Sequence, residues 1–235
     1  VPNYVDEIHW EKATTAVERE LTLGRVIRTS WDHVSGTATI GIVDKHRSGF
    51  VKHRLIHDLS RPNDLSTNSR ATVEKRTFAS VRDAMDFIRP GTFMAKIDVS
   101  EFYRNFPMAF HHWPDLGFQW NVFGEDEPAV LCDTRMPFGL CAASGLADKL
   151  TAAIVRHMKS KGFTVVGYLD DFLILARTQE ECQEAYDYLL WFLRDLGLPV
   201  NEEKCVGPTQ SLVFFWVLSY PRFRRGETIT GYFAQ

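Results

Sequence analysis

The sequence is poor in the features that mark specialised chains. Its four cysteines (Cys132, Cys141, Cys182 and Cys205) are widely spaced and form no CxxC pattern, so neither a cysteine metal site nor a disulfide framework is expected. No apolar run approaches the length of a membrane span, and the first residues hold no charged-then-apolar leader. A soluble protein in a reducing compartment, cytoplasm or nucleus, is therefore the default, with no membrane partner. Charge of neither sign dominates: 27 Lys and Arg against 30 Asp and Glu leave a net charge of -3. That balance excludes a globally cationic nucleic-acid binder but permits a local basic channel, because net charge is a sum and not a field. Internal repeats and low-complexity linkers are also missing. What remains is a chain that is 45% apolar and 13% aromatic, enough for one substantial core or two intimately packed subdomains.

Periodicity divides that chain into mixed elements. Residues 1–24 read as a polar helix with Val17 and Leu21 on one face and Gly24 as its stop. ATIGIV (38–43) and FVKHRLIHDL (50–59) read as a hairpin, and RPNDLSTNS (61–69) as a loop. SVRDAMDFI (80–88) predicts a short helix capped by Ser80, with Val81, Ala84, Met85 and Ile88 inward; TFMAKIDV (92–99) predicts a strand. The stretch 107–135 shows no clear period. A long helix follows RMPFGL, with Leu146, Leu150, Ile154 and Met158 as its expected stripe. Strands FTVVGYL (163–169) and FLILA (172–176) flank two aspartates. A second amphipathic helix over 179–196 repeats Cys182, Tyr186, Leu189, Leu193 and Leu196. SLVFFWVLS (211–219) is a last apolar strand, and FRRGETITG (223–231) a short hairpin. The class is α+β, with antiparallel hairpins and crossovers.

The chemistry is concentrated in carboxylates. Asp170 and Asp171 interrupt the apolar run VGYLDDFLIL, and Asp98 ends another strand pattern. Buried carboxylates are rare without a partner or a metal. Side chains alternate along a strand, so the adjacent pair can share a direction only if it occupies a tight turn. Clustered carboxylates repel, and stable ionisation needs a dication or a cationic side chain. Oxygen ligands of this type suit Mg²⁺, and two such ions serve phosphoryl transfer. An incidental Asp-Asp turn in an ordinary α+β domain is the plainer alternative.

VGYLDDFLIL resembles the YxDD signature of reverse transcriptases, and other segments match in order. KIDVSEFY (96–103) resembles the first catalytic motif, MPFGLCAAS (136–144) the Pro-x-Gly motif before the long palm helix, and LPVNEEKC (198–205) the later lysine motif. HRLIHDLSRPND (53–64) is similar to the fingers segment, and SLVFFWVLS more loosely to the primer grip. The resemblance covers about residues 38–219 and is closest to retroelement polymerases with MPFGL, such as tyrosine-recombinase-encoding retrotransposons or related virus-derived elements.

The resemblance implies a right-hand polymerase fold of fingers and palm, with an antiparallel palm sheet packed on helices and the thumb largely absent. On that reading 1–36 is an N-terminal helical extension, 37–91 fingers, 92–106 palm, 107–135 fingers or an insertion, 136–219 palm with a primer-grip-like strand, and 220–235 a hairpin or the start of a thumb. Asp98, Asp170 and Asp171 would hold two Mg²⁺ ions (Mn²⁺ the alternative), with the Val99 carbonyl as a further ligand. Tyr103 would be the gate under the sugar. Arg54 would meet the triphosphate with Lys52, or alternatively Lys45. Lys204 would lie near the leaving pyrophosphate, and Pro137, Phe138 and Gly139 would shape the nucleotide pocket. Phe138 departs from the glutamine common among relatives, and Trp216 from a commoner glycine. The expected partners are a primer with an RNA or DNA template, deoxynucleoside triphosphates and the remaining domains of a longer polyprotein. The rival readings are a catalytically reduced binding or scaffold domain of this fold, or a DNA-dependent polymerase.

Overall fold

The structure, a computed structural model, describes residues 7–47, 50–62, 64–74, 77–79, 81–213 and 228–230. In chain order its elements are α1 (Glu7–Thr22), β1 (Val26–Arg28), β2 (Thr37–Arg47), β3 (Phe50–Asp58), α2 (Thr67–Arg70), α3 (Val81–Met85), β4 (Phe93–Asp98), β5 (Gly117–Trp120) and β6 (Ala129–Asp133). They continue with α4 (Ala143–Ser160), β7 (Thr164–Tyr168), β8 (Asp171–Ala176), α5 (Gln179–Asp195), β9 (Val206–Thr209), β10 (Ser211–Val213) and β11 (Thr228–Thr230). The chain divides into two compact units, one of residues 1–74 and 103–143 and the other of 75–102 and 144–235. Among the described residues no helix is long and apolar enough to cross a membrane.

The first unit is built on a five-stranded sheet in the order β1-β6-β5-β2-β3. The predicted hairpin forms its β2–β3 edge, and the unreadable stretch supplies the inner strands β5 and β6. Period alone could not find those strands, because the four residues of β5 are almost all buried and show no alternation. Helix α1 buries Ala13 and Val17 against Val26, Ile40, Phe118, Trp120 and Leu131. The Trp120 indole donates to Thr14 Oγ1 at 3.1 Å and so satisfies the one polar atom of a fully buried ring.

A buried polar cluster ties this unit together. Arg104 donates through Nε and Nη2 to Glu20 Oε2 at 3.0 and 2.7 Å, and its Nη2 lies 2.8 Å from Asp133 Oδ1. His57 Nε2 is 3.1 Å from Asp133 Oδ2. One guanidinium thus bridges carboxylates from α1 and β6, and Arg25 Nη1 adds a second cation 3.7 Å from Glu20 Oε1, compensation that buried ions need. The His57 backbone N–H donates to the Phe138 carbonyl at 2.8 Å, and Gly139 follows at φ +110°. A Cβ on Gly139 would fall 1.8 Å from the His57 carbonyl oxygen, so only glycine fits where this loop crosses β3.

The second unit holds an antiparallel four-stranded sheet, β7-β8-β4-β9. Met94 of β4 pairs across to Leu175, Lys96 to Leu173 and Asp98 to Asp171. Directly opposed residues share a face, so Met94, Leu173, Leu175 and Val166 form one apolar surface, which packs against Ala84 and Ile88 from α3 and its C-terminal side and against Leu212. Alternate positions face the other way, where α4 reaches Gly167 of β7.

Three expected stripes shift in detail. On α4 the buried line is Ala147, Thr151, Ile154 and Met158, while Leu146 is exposed; small residues let the helix approach β7 closely. On α5 it is Cys182, Ala185, Leu189 and Leu193, a spacing of 3, 4 and 4 residues, and Leu196 is exposed at the C-cap. On α3 Ala84 is buried but Met85 is exposed. Most of the expected 223–231 hairpin lies outside the described residues; its residues 228–230 form β11, which pairs with β10. Ser80 and Trp216 lie outside the described residues.

His57 yields a pH prediction. Burial first, and the Arg104 charge second, push its imidazole down from 6.5 to about 3, with Glu20 opposing. The unfolded chain accepts a proton that the folded chain refuses, so the His57 contribution is present above about pH 6.5 and is lost as pH falls toward 3. Replacing His57 with Gln should make acid destabilisation shallower, by up to about 1.4 kcal/mol per pH unit between those limits. Tm measured against pH for both proteins reads this directly, and parallel curves would refute it.

Candidate active site

Strand register sets two of the acidic residues, Asp98 and Asp171, opposite each other in the second unit, while the carboxylates of Asp98, Asp170 and Asp171 do not all fall within 4.8 Å of one another. Asp98, the last residue of β4, stands opposite Asp171, the first of β8. The loop between β7 and β8 has only two residues, Leu169 and Asp170, since Tyr168 pairs with Asp171. Asp170 is therefore in a turn and Asp171 in a strand, which lifts the restriction that adjacent strand residues diverge. The Val99 N–H donates to the Asp170 carbonyl at 2.8 Å and locks the turn to the end of β4. Leu169 takes φ +52° at the turn position that glycine usually fills.

Two lysines answer the buried charge. Lys204 Nζ donates to both oxygens of Asp98, at 2.7 and 2.9 Å. It is delivered by the segment after α5, which docks on β4 through Asn201 N–H to the Asp98 carbonyl (2.8 Å) and Ser100 N–H to the Pro199 carbonyl (2.7 Å). Lys96, two residues before Asp98 and so on its face, puts Nζ 2.9 Å from Asp171 Oδ1. Burial pushes the Asp171 carboxyl up to about 6, with Lys96 opposing and the Asp170 and Asp98 charges adding. A dication would relieve that strain, and hard carboxylate oxygens suit one, with Asp170 turning toward the Asp98–Asp171 pair to complete the set.

The first unit gathers a separate set. The Arg54 guanidinium lies 5.2 Å from the Phe138 ring centroid, and the Tyr103 ring meets Phe138 edge-on, also at 5.2 Å. Phe138 thus stands between a cation and an aromatic ring, with Pro137 buried beside it and Gly139 held against β3. Lys52 pairs with Lys45 in the β2–β3 register, but both side chains lie outside the described part of the structure.

A family model described as reverse transcriptase (RNA-dependent DNA polymerase) matches residues 39–216. The chain belongs to the reverse transcriptase family. It is 25% identical over 161 residues to a Gag-Pol polyprotein of avian reticuloendotheliosis virus, covering 67% of this chain and 14% of the polyprotein. A Gag-Pro-Pol polyprotein of human T-cell leukemia virus 2 is 27% identical over 158 residues, covering 65% of this chain and 10% of the polyprotein. Among solved structures, foamy viral protease-reverse transcriptase in complex with double-stranded DNA matches at TM-score 0.71 and 17% identity, over 91% of this chain and 34% of that one. The same enzyme in complex with an RNA/DNA hybrid matches at TM-score 0.72 and 15% identity, over 91% and 26%. These likenesses establish the polymerase-like α+β fold. Reverse transcriptases generally use divalent metal ions.

Three residues that support the acidic end of β4 and β8 escaped the sequence reading. Lys96 is a charged residue between the apolar Ala95 and Ile97 in the buried middle of β4, and that anomaly was the available signal. Thr151 Oγ1 lies 2.8 Å from the Leu169 carbonyl and 3.1 Å from that of Ala147; its single proton serves one at a time. It anchors the strained turn to α4. Gly167 permits that approach, since a Cβ there would stand 2.6 Å from Thr151 Cγ2 and 2.9 Å from Val155 Cγ2. Only tertiary contact reveals Thr151 and Gly167. Gly167→Ala should cost roughly 1–3 kcal/mol by overpacking. Adding Thr151→Ser, which removes the nearer methyl and keeps the hydroxyl, should restore part of that loss. Chemical denaturation of the two variants measures it, and additive losses would show that the close approach does not matter.

Proposed function

We propose that this domain carries out template-directed DNA synthesis, adding deoxynucleotides to a primer 3′-hydroxyl on an RNA template. The observation that supports the reading is the opposition of Asp98 and Asp171 across β4–β8, with Asp170 in the adjoining turn. The chain spans 14% and 10% of the two viral polyproteins and 26% to 40% of the solved chains it matches, and the activity is proposed for a longer polyprotein context. The solved relatives' complexes with double-stranded DNA and with an RNA/DNA hybrid support a primer–template partner. We assign 37–91 and 107–135 to fingers and 92–106 and 136–219 to palm, with 1–36 and 220–235 as flanking segments. The compact units favour moving the breaks to 74/75, 102/103 and 143/144.

In this mechanism Asp98, Asp170 and Asp171, with the Val99 carbonyl, would hold two divalent ions, Mg²⁺ or alternatively Mn²⁺. Bound there, the ions would acidify the primer hydroxyl and offset the charge of the triphosphate. The rest falls to the chain's own groups. Lys96 keeps the buried Asp171 carboxyl compensated, and Lys204 holds Asp98 until substrate arrives and then turns its protonated amine to the departing pyrophosphate. Arg54 offers a fixed donor fork to phosphate, with Lys52 beside it on the strand as a point charge. Phe138, flanked by Arg54 and Tyr103, supplies an apolar face for the nucleotide where relatives use an amide, and Pro137 and Gly139 set its backbone. Tyr103 closes the space under C2′ and selects deoxyribose by exclusion.

A second reading, a polymerase-like binding domain without catalysis, is favoured by the lysine pairing, because Asp98 and Asp171 are already neutralised within the fold. Primer extension by the full-length chain, with Mg²⁺ on matched RNA and DNA templates, separates the readings. Synthesis on RNA that falls to background in Asp98→Asn and Asp170→Asn supports the proposal. Synthesis on DNA alone makes the enzyme DNA-dependent, and a folded protein that extends neither template leaves the binding reading. Tyr103→Ala should raise ribonucleotide incorporation relative to deoxynucleotide, and an unchanged ratio removes Tyr103 from the gate.

A further inference from the structure

A second constellation of metal-ligating side chains lies within the first unit. Asp44 of β2 is directly paired with His53 of β3, and the two side chains therefore project from the same face of the hairpin. His53 Nδ1 lies 2.6 Å from Asp44 Oδ1. On α1, which packs in the same unit, His9 reaches the other oxygen of that carboxylate, with Nε2 3.2 Å from Asp44 Oδ2. The imidazole rings stand 5.9 Å apart, centroid to centroid, in an edge-on arrangement. One ligand atom from each of the three residues falls within 4.8 Å of the other two.

We propose that His9, Asp44 and His53 form a binding site for a divalent transition metal of the zinc class. Two imidazole nitrogens and one carboxylate are the donors that select Zn²⁺, Co²⁺ or Ni²⁺ over Mg²⁺, which prefers oxygen throughout. The site is thus chemically distinct from the three aspartates of the second unit. Side-chain exposures of 26%, 28% and 25% leave the open side that a water molecule needs as fourth ligand. Coordination requires each imidazole to turn a lone pair, in place of a shared proton, toward the carboxylate, and the convergence of both rings on Asp44 already supplies that aim. Strand alternation separates the site from the phosphate candidates: Arg54 follows His53 and so projects from the opposite face, toward Phe138.

Binding would fasten α1 to the β2–β3 hairpin, because the three ligands come from three elements. Metal should therefore raise the stability of the folded protein by mass action. The sequence could not disclose the site, since positions 9, 44 and 53 match no spaced metal motif and meet only through the packing of α1 on the sheet.

The test uses chelator-stripped protein titrated with Co²⁺ alone and then with Zn²⁺ alone, without nucleic acid or nucleotide. The expected result is one Co²⁺ per chain with visible ligand-field bands of four- or five-coordinate geometry, displaced by Zn²⁺, and a rise in Tm on Zn²⁺ addition. His9→Ala, at a partly exposed position of α1, should weaken binding at least about tenfold through loss of one ligand of three. Asp44→Asn should act likewise, while Asp98→Asn with Asp171→Asn should leave the bands in place. Wild-type protein that shows no such bands overturns the proposal regardless of how the variants fold. Equal affinity in wild type and His9→Ala overturns it too and leaves Asp44 as a carboxylate bridging two histidines.

Discussion

The register of β4 against β8 is the constraint on which the catalytic reading depends. An antiparallel pair brings the end of one strand beside the beginning of the other, so Asp98 and Asp171 become neighbours although 73 positions separate them. A slip of one residue would turn Asp98 to the helix-covered face and bring a hydrophobe to the site. The apolar residues behind the aspartates prevent that slip. Met94, Leu173, Leu175 and Val166 are buried together with Ala84 and Ile88, and each would lose its contacts if the register moved. The same sheet face thus serves as core at one end and as acidic site at the other.

That arrangement carries an electrostatic cost which the fold meets locally. Two carboxylates of like charge sit at the edge of a hydrophobic core, and Lys96 and Lys204 stand against them from two directions. The pairing keeps the charged site compatible with a folded chain before any ligand is present. Lys204 is the more exposed of the two lysines and therefore the one able to exchange partners, whereas Lys96 is buried in β4. A similar logic governs the first unit, where Arg104 spans Glu20 and Asp133 and the His57 backbone fixes the Phe138–Gly139 loop. Both units build their chemistry beside a buried ion pair that also ties distant segments together.

Elements with a strong local signal were legible in the sequence. The two long helices lie close to where period puts them, because each has one buried and one exposed side, while the β2–β3 hairpin, β4, β7 and β8 stand out as apolar runs bounded by turn residues. Strands β5 and β6 were not legible, since their short runs GFQW and AVLCD neither alternate nor form a continuous apolar block. Helix stripes were legible in period and in part in membership: Ile154, Met158, Cys182, Leu189 and Leu193 are buried as expected, while Ala147 and Ala185 take places on the buried line and Leu146 and Leu196 are exposed. Large residues dominate a hydrophobic pattern, while packing distance selects the small ones.

The motif segments likewise singled out Asp98, Asp170 and Asp171, of which the fold sets Asp98 opposite Asp171, and their order along the chain named the family. Residue type and short-range spacing carry that much, because ionised oxygen donors, a strand period and a turn are local properties. Which side chains answer those acids was decided only in three dimensions. Lys96 against Asp171, Thr151 against the Leu169 carbonyl, Gly167 beneath α4, and His9 over the Asp44–His53 pair all depend on where strands and helices come to rest. Contact between distant residues is settled by register and by packing volume, and neither is written at any single position of the chain.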